Sequence, residues 1–149
     1  MASLKNHRNA GYTLVELMIV LIILSTATAI TIVSYSSLAD GKTVDHFFEQ
    51  LEDDLYNAQM LALSKGKTIS IHFKPELHRY TVDGSVGERF LERHYDESIR
   101  ITKGSTGYRI YFNANGNIRN PGTLIIDTKK GKYVLTFQIG KGRFYVRPL

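Results

Sequence analysis

The chain has 149 residues, of which 43% are hydrophobic and 11% aromatic, and this content predicts one packed domain and excludes a chain that is disordered throughout. It contains no cysteine, which excludes a disulfide framework and thiolate metal sites. The formal net charge of +5 is unevenly distributed, because residues 40–64 hold six acids and one base whereas residues 98–149 hold ten bases and one acid. The C-terminal third therefore predicts a basic surface.

A long apolar segment follows a short basic start. Lys5 and Arg8 precede it without an acid, and residues 17–33 contain no charged residue. A helix over residues 12–33 would be about 33 Å long, which is enough to cross the hydrocarbon core of a bilayer. By the positive-inside rule, we predict a single span of the cell membrane, with the N-terminus in the cytoplasm and the chain after Val33 outside.

Glu16 is an acid at the head of this segment, and ordinary interpretations do not explain it. A secretory signal peptide would use the small-x-small sequence Ala27-Thr28-Ala29 as its cleavage site. A plain membrane anchor would need no such site. Both leave Glu16 without a role, although a charged group near mid-membrane costs up to about 3 kcal/mol.

The sequence Gly11-Tyr12-Thr13-Leu14-Val15-Glu16-Leu17 resembles the class III signal of type IV prepilins and pseudopilins. Both have a short basic leader that ends in glycine, then an aromatic residue, and a glutamate at the fifth mature position. The resemblance implies cleavage between Gly11 and Tyr12 by a prepilin peptidase, N-methylation of Tyr12, and assembly with other pilins in a filament.

The resemblance also gives Glu16 a physical role in assembly. Cleavage would create an α-amino group at Tyr12, about 6 Å of helix rise from Glu16. When such helices pack with an axial stagger, the carboxylate of one subunit can meet the ammonium group of its neighbour. This contact replaces two costly isolated charges by one pair, so that Glu16 would set the register of the filament.

After Val33 the sequence becomes amphipathic. Apolar residues three or four positions apart predict one helical stripe, formed by Val44, Phe48, Leu51, Leu55, Ala58 and Ala62. The acids between them predict a solvated face. We therefore predict one helix from Tyr12 to about Ser64, with its first half in the membrane and its second half packed on a globular domain. Glycine costs about 1 kcal/mol in a helix interior, so Asp40-Gly41-Lys42 predicts a kink or local melting.

Beyond residue 66 the periodicity changes from helix to strand. Alternating apolar residues predict strands near residues 69–73, 80–82, 99–101, 108–112, 124–126, 133–139 and 144–146. Turn sequences such as Asp83-Gly84 and Asn120-Pro121-Gly122 separate them. Short strands without a second helix to cross over predict an antiparallel meander, and the fold class is α+β.

The predicted organisation has four parts. Residues 1–11 are a leader peptide, and residues 12–39 are a transmembrane and assembly helix. Residues 40–65 continue the helix in amphipathic form, and residues 66–149 form a β-sheet globular domain.

The second half of the chain resembles the C-terminal domain of the GspH/FimT pseudopilins. The resemblance is carried by Phe112-Asn113-x-x-Gly116, by residues 120–126, and by Phe137-x-x-Gly140-x-Gly142-Arg143-x-x-Val146. It implies the type IV pilin-like fold and a pseudopilin of a competence pilus, which supports uptake of extracellular DNA at the cell surface. Many major pilins have proline at the twenty-second mature position, here Val33, so we expect a minor subunit. The alternative is the equivalent subunit of a type II protein secretion system.

The sequence contains no catalytic constellation, and we expect neither an enzyme nor a bound cofactor or metal. Its five histidines lack close metal-ligand spacing. It also lacks a glycine-rich phosphate loop and a nucleophile elbow.

The basic C-terminal strands make DNA a candidate partner. The predicted contact residues are Lys129, Lys130, Lys132, Lys141, Arg143, Tyr145 and Arg147. Lysine and arginine bind phosphates with release of counterions, and an exposed ring stacks on a base. A DNA-binding subunit at the pilus tip is therefore a second hypothesis. A competing interpretation is that the basic face meets the anionic cell envelope or the acids of residues 40–54 in a neighbouring subunit.

Overall fold

The computed structural model describes residues 13–85, 87–140 and 142–149, and it describes the side chains of these residues except for 29–40. The chain divides after Ala39 into two compact units. One helix, α1, spans Leu14–Lys65. The strands that follow are β1 (Ile69–Lys74), β2 (Arg79–Asp83), β3 (Arg89–His94), β4 (Arg100–Lys103), β5 (Arg109–Phe112), β6 (Gly122–Thr128), β7 (Gly131–Phe137) and β8 (Phe144–Pro148). A short 3₁₀ turn, Pro75–Leu77, connects β1 to β2.

The long helix agrees with the sequence prediction from Leu14 onward, and Tyr12 lies outside the described residues. It continues through Asp40-Gly41-Lys42 without interruption, so the predicted local melting is wrong. The structure gives a packing reason for the glycine. A Cβ atom on Gly41 would lie 3.3 Å from Cε of Lys130, so the missing side chain leaves room for the lysine stem. The predicted kink stays a prediction.

The strands form two four-stranded sheets in which all neighbours are antiparallel. Sheet A has the order β3-β2-β1-β5, and sheet B has the order β4-β6-β7-β8. The α+β class and the antiparallel pairing are thus confirmed, but the strands do not form one continuous meander. The chain changes sheets because β5 pairs with β1, with Ile71 opposite Ile110, whereas β4 pairs with β6, with Ile101 opposite Ile126.

One apolar core lies between the second half of α1 and the sheets. The helix contributes a stripe of side chains that are each at most 5% exposed: Val44, Phe47, Leu51, Leu55, Ala58 and Ala62. The sequence prediction placed Phe48 in this stripe, but Phe47 is the buried ring. Phe48 lies at the edge of the core and packs against Tyr133, with ring centroids 4.7 Å apart. Both positions fit helical spacing, so periodicity could not distinguish them.

The two faces of each sheet differ as the alternation predicts. The core-facing side chains are Ile69, Ile71, Phe73, Tyr80, Val82, Ile110 and Phe112 in sheet A, and Ile101, Leu124, Ile126, Leu135 and Phe137 in sheet B. The residues between them lie on the opposite side, because successive side chains of a strand point to opposite faces. We call these opposite sides the outer face of sheet A and the outer face of sheet B.

The sequence did not predict β3, whose residues do not alternate between apolar and polar types. Its register with β2 places Arg93 opposite Tyr80 and Leu91 opposite Val82, on the core side of sheet A. Nε of Arg93 donates a hydrogen bond to Oδ2 of Asp54 at 3.1 Å. A charged pair therefore takes the place of the apolar residue that the alternation requires.

Asp54 is buried, with 4% of its surface exposed, although it belongs to the acid-rich part of α1. Its Oδ2 accepts a hydrogen bond from the Tyr80 hydroxyl at 2.7 Å as well as the one from Arg93. Burial and the hydrogen bond to Asp54 raise the pKa of Tyr80, so the phenol stays a donor. The solvated acidic face predicted from the sequence therefore does not include Asp54.

Gly142 lies where the segment before β8 passes close to α1. Its φ is +61°, and a side chain there would overlap with Gln59 and with the carbonyl of Gly116. Nε2 of Gln59 donates a hydrogen bond to that carbonyl at 2.8 Å. The close approach of these three segments explains why glycine is required at this position.

We predict that Asp54→Ala lowers the free energy of unfolding by about 2–3 kcal/mol, because it leaves the buried Tyr80 hydroxyl without its acceptor and Arg93 without its partner. Chemical denaturation of the full chain in detergent would measure the loss. The control is Asp53→Ala, which removes an exposed acid from the preceding position of the same helix. It should change the free energy of unfolding by less than about 0.5 kcal/mol. Equal losses for the two variants would contradict the assignment.

Candidate functional site

Glu16 lies in the first turn of α1 and is exposed. Its backbone N–H donates a hydrogen bond to Oγ1 of Thr13 at 3.2 Å, so Thr13 caps the helix. The spacing of Thr13 and Glu16 is that of a capping box, a local sequence signal for the start of a helix. Gly11 and Tyr12, the predicted processing residues, lie outside the described residues, as does the predicted leader.

The first part of α1 presents an apolar surface around Glu16. Each of the large apolar side chains from Leu14 to Leu24 is more than half exposed. Within the part of the chain whose side chains the structure describes, no helical segment is long and apolar enough to cross a membrane. The predicted span over residues 12–33 therefore stays a prediction.

The hydroxyl groups that follow this apolar surface are satisfied within the helix. Oγ1 of Thr26 donates to the carbonyl oxygens of Ile22 and Ile23, at 3.0 and 2.9 Å. Ser25 and Thr28 likewise donate to carbonyls of the preceding turn. These hydroxyls do not depend on water for a partner. The sequence Ala27-Thr28-Ala29, proposed above as an alternative cleavage site, thus lies inside a helix.

The outer face of sheet B brings together some of the predicted DNA-contact residues. Tyr145 lies opposite Thr136, and Arg147 lies opposite Val134 in the neighbouring strand. Lys132 is on the same face and lies opposite Asp127, which in turn lies opposite Arg100 on β4. The face therefore combines three bases from separate strands with one exposed ring and one acid. Arg100 belongs to the basic C-terminal third of the sequence, and the strand pairing places it on this face.

The other predicted contact residues lie elsewhere. Nζ of Lys130 binds both carboxylate oxygens of Asp45 on α1 at 2.7 Å, so the β6–β7 turn is tied to the helix. Lys129 precedes Lys130 in the same turn and also has an interaction partner. Arg143 is exposed just before β8, and its carbonyl accepts a hydrogen bond from the Gln138 N–H at 2.9 Å. Lys141 lies outside the described residues.

No metal centre is formed by the described side chains, because no three of His, Asp and Glu among them lie close enough to share an ion. The expectation that the chain is not an enzyme stays a prediction.

The fold is shared with two solved minor subunits of secretion and pilus systems. The minor pseudopilin EpsH from the type 2 secretion system of Vibrio cholerae matches with a TM-score of 0.57 at 13% identity, over 71% of this chain and 97% of EpsH. The type IV minor pilin FimU of Pseudomonas aeruginosa matches with a TM-score of 0.53 at 22% identity, over 67% of this chain and 89% of FimU. Both matches establish the type IV pilin-like fold.

Residues 6–32 match the model of the prokaryotic N-terminal methylation motif. Over its length, the chain is also 26% identical to the competence protein ComGD of Bacillus subtilis, across 144 residues that make up 97% of each protein. The chain combines the N-terminal methylation motif with a type IV pilin-like fold. The matched residues include Glu16 and the capping residue Thr13.

We predict that Lys130→Ala lowers the free energy of unfolding of the protein by less than about 1 kcal/mol, because its partner is solvated and exposed pairs contribute little. The Asp45 side chain is 71% exposed. A double-mutant cycle with Asp45→Ala would measure the coupling of the pair, which should disappear at high salt. Lys132→Ala is the control on the neighbouring strand. A coupling several times larger, or one insensitive to salt, would be inconsistent with a surface pair.

Proposed function

We propose that this protein is a minor pseudopilin of a competence type IV pilus and supports the uptake of extracellular DNA. The observation that carries the proposal is the combination of the methylation motif at residues 6–32 with similarity to a competence protein over nearly the whole chain. The pilin-like fold is consistent with it and adds an assembly role.

Processing would precede assembly. A prepilin peptidase would cleave between Gly11 and Tyr12 and methylate the new amino group of Tyr12. Until assembly, the helix would be held in the cell membrane by a single span over residues 12–33, with the globular unit outside. The exposed apolar side chains from Leu14 to Leu24 and the internally bonded hydroxyls after them support such a span, because both suit a surrounding without water.

In the filament, Glu16 would pair with the N-terminal ammonium group of a neighbouring subunit. Its carboxylate is exposed, and its first helical turn is capped by the Thr13 hydroxyl through the backbone N–H. The cap does not use the carboxylate, so a change of the Glu16 side chain need not disturb the start of the helix. Because a lone charge among apolar helices is costly, the pair would fix the axial register of the subunits.

A second candidate function is direct DNA binding at the pilus tip. The shared placement of Lys132, Tyr145 and Arg147 on the outer face of sheet B supports it. A role in a type II protein secretion system is the remaining alternative. It is favoured by the fold shared with EpsH, which belongs to such a system.

A deletion strain separates these functions. We expect it to lose transformation by added DNA while protein secretion is unchanged. Complementation with Glu16→Gln should give a processed, membrane-associated protein that fails to restore transformation, because the side chain keeps its shape but loses its charge. Glu49→Gln, an exposed acid on the second half of α1, is the matched control and should restore it fully.

Two results would contradict the proposal. Normal transformation with impaired protein secretion would assign the pseudopilin to a secretion system. Full restoration of transformation by Glu16→Gln would show that the charge of Glu16 has no role in assembly.

A further inference from the structure

The acids on the outer face of sheet A are already occupied by two arginines. Nε of Arg89 binds Oδ1 of Asp83 at 3.1 Å, and its Nη1 binds Oε2 of Glu92 at 2.8 Å. The other carboxylate oxygen of Glu92 accepts a hydrogen bond from Arg79. The charges of these four side chains therefore cancel. Any further cation on this face contributes an uncompensated positive charge.

Arg109 is such a cation. Its Nη2 lies 2.9 Å from Nδ1 of His72 on the neighbouring strand. Because arginine is always protonated, it donates this bond and the imidazole accepts it. Burial, followed by the charges of Arg109 and Lys74, lowers the pKa of His72, so the ring is neutral at pH 7. Among the described residues, no carboxylate lies within 4 Å of the Arg109 guanidinium. His72 thus positions Arg109 without neutralising it.

Arg109 lines an open cleft of about 540 Å³. The other residues that line it are Ser70, Asp83, Gly84, Gly87 and Arg89. Arginines from β5 and β3 therefore line the cleft, and Ser70 lies on β1 between them. The Ser70 hydroxyl donates a hydrogen bond to the Asp83 carbonyl at 3.4 Å. The paired Arg89 compensates Asp83, so the net charge of the cleft is positive. The two guanidinium groups are donors suited to the oxygens of a phosphate.

An aromatic ring and another arginine extend this surface along β5. Tyr111 is partly exposed and lies two residues from Arg109 on the same side of the strand, about 7 Å away. The bridge between Phe112 and Ile118 and the hydrogen bond from the Arg119 N–H to the Tyr111 carbonyl, at 2.9 Å, place Arg119 beside Tyr111. The ring is thus flanked by two arginines, for neither of which the described residues supply an acid.

We propose that the outer face of sheet A binds a single-stranded nucleic acid, with a backbone phosphate between Arg109 and Arg89 and a base stacked on Tyr111. Cations spaced along a strand match successive phosphates, and an exposed ring stacks on any base. The site is distinct from the basic surface on sheet B and contains none of the seven contact residues predicted in the C-terminal strands. It rests on the proposed role in DNA uptake only for its biological setting.

His72→Glu tests the site without removing a cation, because it gives Arg109 a carboxylate partner. Thr136→Glu is the matched control, since it places the same charge on the outer face of sheet B. Binding of a fluorescent oligothymidylate of about 15 nucleotides to the full chain in uncharged detergent would be followed by anisotropy at about 50 and about 200 mM salt. We expect His72→Glu to weaken binding at least about tenfold and to flatten its salt dependence, and Thr136→Glu to change it less than about twofold.

Two further variants keep the test decisive if His72→Glu lowers the thermal stability. Arg109→Gln removes the charge and should also weaken binding, whereas Tyr111→Leu should weaken it without changing the salt dependence. Wild-type protein without salt-dependent binding, or equal losses for His72→Glu and Thr136→Glu, would overturn the site. Neither result would bear on processing or transformation, which are measured separately in cells. If the purified protein binds the oligonucleotide as expected but the deletion strain transforms normally, the proposed function alone would be contradicted.

Discussion

The burial of one stripe of α1 holds the globular unit together. Leu51 and Leu55 are fully buried, and each such side chain contributes about 1.5–3 kcal/mol when it leaves water. Ala58 and Ala62 continue the stripe, and their small size lets the sheets approach the helix closely. Sheets A and B are separate hydrogen-bonded sheets, and their core-facing side chains pack with this stripe in one apolar core. The outer faces of both sheets are left for other partners.

The same helix carries two different surfaces along its length. Its second half is buried on one side, whereas its first part exposes large apolar side chains. In the proposed function, lipid or other helices would cover this apolar surface. Glu16 interrupts the surface with a single charge, and a filament would give the charge an ammonium partner. Membrane insertion and assembly would then be alternative ways to cover one segment, and Glu16 would favour assembly.

Sequence periodicity predicted α1 and most strands because both depend on residues close in the chain. It missed β3 because Arg93 faces the core, where Asp54, 39 residues away, compensates its charge. It also could not give the order of strands, which depends on pairs such as Ile71 with Ile110. These contacts are set by tertiary packing, which a local pattern does not contain.

The candidate functional residues divide in the same way. The motif around Glu16 is local, and the sequence was sufficient to identify it. The basic residues were visible as a composition, but their environments were not. Lys130 is bound to Asp45 across 85 positions, and Arg109 is bound to His72 across 37. Whether a cation is neutralised depends on such distant partners, so the sequence could not tell which bases remain available to a polyanion.

Mass spectrometry of the N-terminal peptide from membrane-extracted protein would distinguish a processed pseudopilin from an unprocessed or secreted domain. A processed pseudopilin begins at Tyr12 and carries one methyl group on its amino nitrogen. A chain that begins at Met1, or at Ile30 after Ala27-Thr28-Ala29, would contradict the proposed function. Glu16 would then have no ammonium partner, and the protein would be an anchored or secreted β-rich domain.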